Sequence, residues 1–188
     1  MNLSINSLVV RVIGVALIGG LAAYLAFGPG AAHGLQILAL LLGWASYGRF
    51  GGKLDGFKKS LLHSLVGGAL GLVAVAFAAQ HAAFGHGLDF PIWIALGVAI
   101  TLALLAAATK LSLLSDFPAL LLGYAAIAGS AKSAALEAFL LPSTENPALG
   151  VFVSLLIGAF LACGADLAAD GLEKLTARSG ATRPAAGA

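Results

Sequence analysis

The chain has 188 residues, 60% of them hydrophobic and only 10% charged, with a mean hydropathy of +1.01. A water-soluble domain covers itself with roughly a quarter charged residues, so this composition excludes one and makes lipid the solvent for much of the surface. The net charge of +2, carried near the ends of apolar runs, offers no nucleic-acid-binding face, and a single cysteine, Cys163, excludes an intramolecular disulfide.

Six apolar stretches follow in chain order, predicting an all-α, polytopic transmembrane helix bundle in one domain over 1–170, with a polar cytoplasmic tail, disordered at its end, over 171–188. The first, 8–27, is preceded by no basic segment and no convincing cleavage site, so it is expected to be a retained helix. Arg11 near its start reads as snorkelling to headgroups. The second, 35–50, is short for a span and runs into Gly51-Gly52-Lys53. Adjacent glycines raise the cost of continuing a helix, so a break is expected here. Two readings compete: Trp44, Ser46, Tyr47, Gly51 and Gly52 line a pore or substrate pathway, or they form an interfacial turn with its aromatic belt. A phosphate loop is excluded, because the spacing is wrong and no strand precedes it.

The third stretch, 61–79, carries His63 one turn in, where it caps the helix, touches headgroups or, facing inward, acts as a proton-sensitive switch. Gly67 and Gly71 stand four apart, the spacing that lets helix backbones approach closely. His81, His86 and Asp89 fall in a glycine-containing loop whose spacing reads as a solvated segment; no metal site is assigned there or at His33. The fourth and fifth stretches are 92–109 and 117–131, the latter with Tyr124. The sixth, 149–169, holds Cys163, read as a small buried residue, and Asp166, which must reach the interface or pair with a base such as Arg49 or Lys53.

Lys and Arg set the orientation. Arg49, Lys53, Lys58 and Lys59 follow the second stretch, Lys110 the fourth, and Lys174, Arg178 and Arg183 the sixth; only Lys132 falls on the other side. The positive-inside rule then places both termini in the cytoplasm of a multi-pass inner-membrane protein. The chain also echoes itself. Leu40-Leu41-Leu42-Gly43-Trp44-Ala45-Ser46 returns as Leu120-Leu121-Leu122-Gly123-Tyr124-Ala125-Ala126, and Ser64-Leu65-Val66-Gly67-Gly68-Ala69 as Ser154-Leu155-Leu156-Ile157-Gly158-Ala159. With three spans in each of two halves, 1–80 and 90–170, the second half enters from the opposite side, giving an inverted repeat of the kind that puts a site between the halves.

Gly43-Trp44-Ala45-Ser46-Tyr47, Gly51-Gly52-Lys53-Leu54-Asp55-Gly56 and Lys58-Lys59-Ser60-Leu61 together resemble the signature of a family of uncharacterised bacterial inner-membrane proteins, domain of unknown function 1097. The resemblance implies a multi-spanning membrane protein and supplies no substrate, catalytic residue or cofactor. No grouping has the spacing of a hydrolase or redox centre, so no enzyme activity and no cofactor are expected. The leading expectation is a channel or transporter for a small neutral or weakly polar solute, with Trp44, Ser46, Tyr47, Gly51, Gly52 and Tyr124 on its pathway and His63 and Asp166 as polar switches. The rival is a non-transporting membrane subunit of a larger complex. A homo-oligomer is a third arrangement that a chain this small permits.

Overall fold

The computed structural model describes residues 5–131 and 135–181. Lys132 and Arg183 lie outside these residues, as do the side chains of Arg11, Lys174 and Arg178. Among the described residues all regular structure is helical: α1 (Ile5–Phe27), α2 (Ile37–Arg49), α3 (Lys53–Ala79), the single turn α4 (His81–Phe84), α5 (Phe90–Ala108), α6 (Phe117–Ser130) and α7 (Pro147–Ala181). Short 3₁₀ turns at Ala31–His33, Ser112–Leu114 and Leu136–Leu140 precede α2, α6 and α7. Three helical segments, Lys53–Ala79, Phe90–Ala108 and Pro147–Gly171, are long and apolar enough to cross a membrane. Their outward positions include Leu65, Val73, Ile100, Leu104, Val153 and Phe160, all exposed, as expected of a membrane protein whose surface meets acyl chains.

Two boundaries differ from the hydropathy pattern for physical reasons. Helix α3 begins at Lys53 because its first two turns are amphipathic: Gly56 and Ser60 are buried while Lys58 and Lys59 stay outside, a pattern that averaging over a window erases. Helix α7 continues through Gly171 to Ala181, beyond the apolar stretch, because Leu, Glu, Lys and Ala are good helix formers.

Helices α2, α3, α6 and α7 form the centre, with α1 outside against α7 and α2, and α5 outside against α3 and α6. Trp93 fastens α5 to α3, its Nε1 donating to the Phe77 carbonyl at 2.7 Å and its ring stacking on Phe77 at 4.3 Å. Two central pairs are the most intimate. Helices α2 and α7 run parallel, from Gly34 beside Gly150 to Tyr47 beside Asp166; α3 and α6 run parallel, from His63 beside Asp116 to Gly71 beside Tyr124.

Glycine makes each pairing possible. A Cβ at Gly43 would strike the Leu155 carbonyl and one at Gly158 the Leu40 carbonyl; in the other pair, Gly67 faces the Leu120 carbonyl and Gly123 the Ser64 carbonyl. With no strong hydrophobic force between helices in lipid, such backbone contact supplies the packing that holds them.

Candidate functional site

The bundle has a charged end and a far end. The charged end is the corner where α2 turns into α3. It carries Arg49, Lys53, Lys58, Lys59 and Lys110 with Asp55, Asp116 and Asp166. The far end carries Asp89, Glu137 and Glu145.

At the corner, Gly51, Gly52 and Lys53 all have positive φ (70°, 85° and 62°). A left-handed lysine is unfavourable, so its neighbours must hold it. Its N–H donates to Tyr47 Oη at 2.7 Å, and that hydroxyl donates to Asp166 Oδ2 at 2.9 Å. A Cβ on Gly52 would fall 2.5 Å from the same carboxylate oxygen. The Gly-Gly break is thus a sharp corner after α2 has ended, tied to α7 by Tyr47 and Asp166. Asp166 finds a phenol rather than a base, and Arg49 turns instead to Asp116 at 2.9 Å.

Inside the charged half, Ser60 and Ser64 both donate to Ser46 Oγ, at 3.0 and 3.2 Å, and all three are buried. Ser60 and Ser64 stand one turn apart on α3, which aims both hydroxyls at α2. Tyr124 is buried, its hydroxyl 3.0 Å from Thr101 Oγ1 on α5. Trp44 is half-buried against Tyr47, Ala159, Ala162 and Cys163. Cys163 is buried there, as its apolar surroundings suggested. Toward the far end the polar lining gives way to an apolar cluster of Ala39, Val75, Ala126, Ile127, Phe139, Val151 and Leu155.

Each short helix is hooked at its N-terminus by the long helix beside it. The Asp116 N–H points to His63 Nε2 at 3.4 Å, and His63 Nδ1 lies 2.7 Å from the Lys59 carbonyl. The Gln36 N–H donates to Ser154 Oγ at 2.9 Å, and Ser154 Oγ donates to the Gly150 carbonyl at 2.6 Å. Ser130 Oγ adds a bond to Gln36 Oε1 at 2.7 Å. Asp116 also caps α6, its Oδ1 accepting from the Ala119 N–H at 2.8 Å. Burial would raise the Asp116 carboxyl, but hydrogen bonds from Arg49 and Ala119 outweigh it and hold the group below its ordinary 3.8.

A recess opens beside each hook. One of about 530 Å³ at the charged end is lined by Phe50, Lys58, Lys59, His63, Ser115 and Asp116. One of about 560 Å³ at the far end is lined by His33, Gly34, Glu145, Asn146, Pro147 and Gly150. His81 and His86 take no part in either; His81 Nε2 lies 2.9 Å from the Leu88 carbonyl, and His86 is exposed.

The structure therefore gathers Ser46, Tyr47, Gly52, His63 and Asp166 in the charged half and sets Tyr124 apart with Thr101. Ser60, Ser64, Asp116 and Ser154 are not among the site residues expected from the sequence, although Ser64 and Ser154 head its second internal echo. The i, i+4 serines on α3 and the Asp-Phe-Pro helix start were the available signals.

A family model described as "Protein of unknown function (DUF1097)" matches residues 12–170. No curated protein and no solved structure matches the chain.

Proposed function

Since the chain belongs to the DUF1097 family, whose description names no activity, we propose from its geometry that it is a channel or transporter for a small neutral or weakly polar solute, built from two inverted halves. The observation that carries this reading is that one set of contacts occurs twice. Gly43 and Leu40 of α2 reappear 80 residues on as Gly123 and Leu120 of α6 (43 + 80, 40 + 80). Their partners Leu155 and Gly158 on α7 answer to Ser64 and Gly67 on α3, 91 residues back (155 − 91, 158 − 91). The same shifts carry Asp116 and His63 onto Gln36 and Ser154, and Lys59 onto Gly150. The working register is one residue off the match of the Ser64 and Ser154 strings.

Helix α2 ends at the corner whereas α6 begins at that end, so the exchange of halves turns the molecule over. That supports an inverted repeat, in which α1, α2 and α3 answer to α5, α6 and α7 as six crossings. The two recesses answer to each other in the same way and supply a vestibule on each face. Among the described residues the buried polar groups between them include the hydroxyls of Ser46, Ser60, Ser64, Thr101 and Tyr124, which favour a neutral solute over an ion. The concentration of Lys and Arg at the charged end favours placing that end, and both termini, in the cytoplasm of a bacterial inner membrane.

The test is osmotic swelling of proteoliposomes against a panel of small amides, polyols and weak acids in neutral form. Raised permeability to one or a few of them is expected, with a block when a bulky maleimide is attached to cysteine at Leu113 beside the charged-end recess. No increase for any member would remove the transport reading.

The rival role, a non-transporting subunit, draws on the closed packing: the far half is filled by the apolar cluster, and among the described residues every buried side-chain N or O has a hydrogen-bond partner. Co-purification with a stoichiometric partner, without flux, would select it. Gly14, Gly19 and Gly20 on α1 leave open space beside them, a face for lipid or a second copy that mass measurement in detergent distinguishes.

A further inference from the structure

The two hooks share a layout but not a chemistry. At the far end the acceptor for the Gln36 N–H is a hydroxyl, which holds its role at every physiological pH. At the charged end the acceptor for the Asp116 N–H is an imidazole nitrogen. The Lys59 carbonyl can only accept, so Nδ1 of His63 carries the proton and Nε2 presents a lone pair. The bond from the Asp116 N–H therefore requires the neutral ring, whereas the bond from Nδ1 to the Lys59 carbonyl survives protonation.

We propose that His63 is a one-sided, proton-sensitive latch on the N-terminus of α6. Taking up a proton from water at Nε2 converts that atom from acceptor to donor. It then faces another donor, the Asp116 N–H, and the hook opens. Ser154 leaves the far-end hook as it was, so acid loosens one end of the bundle only. The His63 side chain is 2% exposed, yet it lines the charged-end recess, which gives protons a route from the aqueous side.

The surrounding charges favour release over a new bond. Lys58 and Lys59 flank the recess from α3, with Asp55 held to Lys59 at 3.2 Å; Arg49 comes from α2 and is held to Asp116 at 2.9 Å. Three cations thus face two carboxylates before the ring gains its own charge. An imidazolium at His63 would be attracted to the Asp116 carboxylate, for which it must compete with Arg49. The Phe50 ring, 4.8 Å from the imidazole, offers no acceptor oxygen or nitrogen. None of this depends on solute movement, so the latch and the transport reading stand or fall separately.

Hydrogen–deuterium exchange on the full chain in lipid nanodiscs, at about pH 5.5 and about pH 8 and corrected for the chemical exchange rate, brackets the range in which imidazole changes charge. The amides of Asp116, Phe117, Ala119 and Leu120 are expected to lose about tenfold in protection at the lower pH, the scale of one hydrogen bond, while those at 36–40 do not change. His63→Gln keeps a neutral acceptor of similar reach, and its protection is expected to be independent of pH. Asp116→Asn keeps the backbone N–H and is expected to retain the wild-type response; the Asp116 carboxyl, held low by Arg49 and Ala119, stays ionised across the interval. Equal wild-type protection at the two pH values would overturn the latch. So would a response that survives in His63→Gln or vanishes in Asp116→Asn.

Discussion

Alanine at Gly67 tests the backbone packing between α3 and α6. The added methyl would meet the Leu120 carbonyl oxygen, with the Leu120 carbonyl carbon at 2.8 Å and the Tyr124 nitrogen at 3.0 Å. Ordinary contact begins at 3.4 Å, and backbone atoms have no rotamer to escape into, so the two helices must part by at least 0.6 Å (3.4 − 2.8). Overpacking of this kind costs about 1–3 kcal/mol, against about 1 kcal/mol regained from the better helix propensity of alanine. The net is a loss of up to about 2 kcal/mol, or up to roughly 8 °C in Tm for a chain of this size. Gly158→Ala, against Leu40, is expected to match it within about 0.5 kcal/mol, and the two losses to add, because they share no partner. Gly164→Ala, with nothing within 4 Å of the new methyl, is expected to be neutral or to stabilise by up to about 1 kcal/mol. Thermal unfolding in detergent reads all three. A Gly67→Ala protein as stable as Gly164→Ala would refute the close-packing argument.

Three further outcomes follow from the hydrogen bonds. Tyr47→Phe strips the corner of a donor to Asp166 and an acceptor for the Lys53 N–H; a loss of about 1–3 kcal/mol is expected, and Asp166→Asn should be non-additive with it in a double-mutant cycle. Thr101→Val and Tyr124→Phe should each cost about 0.5–1.5 kcal/mol, with little further loss when combined. The Asp116 carboxyl is depressed in the folded state, so its contribution is complete above the unfolded value near 3.8 and is lost as pH falls through the lower folded value. Asp116→Asn should therefore flatten the acid limb of stability below about pH 4 and lower stability at neutral pH, as equilibrium unfolding across pH would show.

What the sequence made legible was what depends on composition and local chemistry. Lipid as solvent, the apolar stretches and the break at Gly51-Gly52 follow from hydropathy and from glycine's backbone freedom, and the apolar surroundings of Cys163 from its neighbours. The Leu-Leu-Leu-Gly-aromatic-Ala strings marked the two short helices whose glycines make equivalent contacts. The residues they meet on α3 and α7, Ser64 and Gly67 against Leu155 and Gly158, stand 91 apart, whereas the Ser64 and Ser154 strings match at 90, because the Ser-Leu identity outweighs the glycines in a match of strings. Long-range pairing was hidden: Tyr47 and Asp166 are 119 residues apart, and nothing local distinguishes a carboxylate bound to a phenol from one bound to a base. Ser60 sits beside the lysines that follow the second stretch, and only burial in α3 makes it an interior hydroxyl. His63 was visible as a candidate, but its role depends on the Asp116 amide, supplied by a helix 53 residues away.

Ala32 and Leu113 are both exposed, each the middle residue of the 3₁₀ turn that precedes a short helix, beside opposite recesses. With Cys163 replaced by alanine, a single cysteine at each can be probed in cells with a membrane-impermeant maleimide. Inverted halves require Leu113→Cys to react only once the cytoplasmic face is opened, and Ala32→Cys to react in intact cells whose outer barrier alone has been permeabilised. Labelling of both positions from the same side would contradict the inverted arrangement, and with it the paired vestibules.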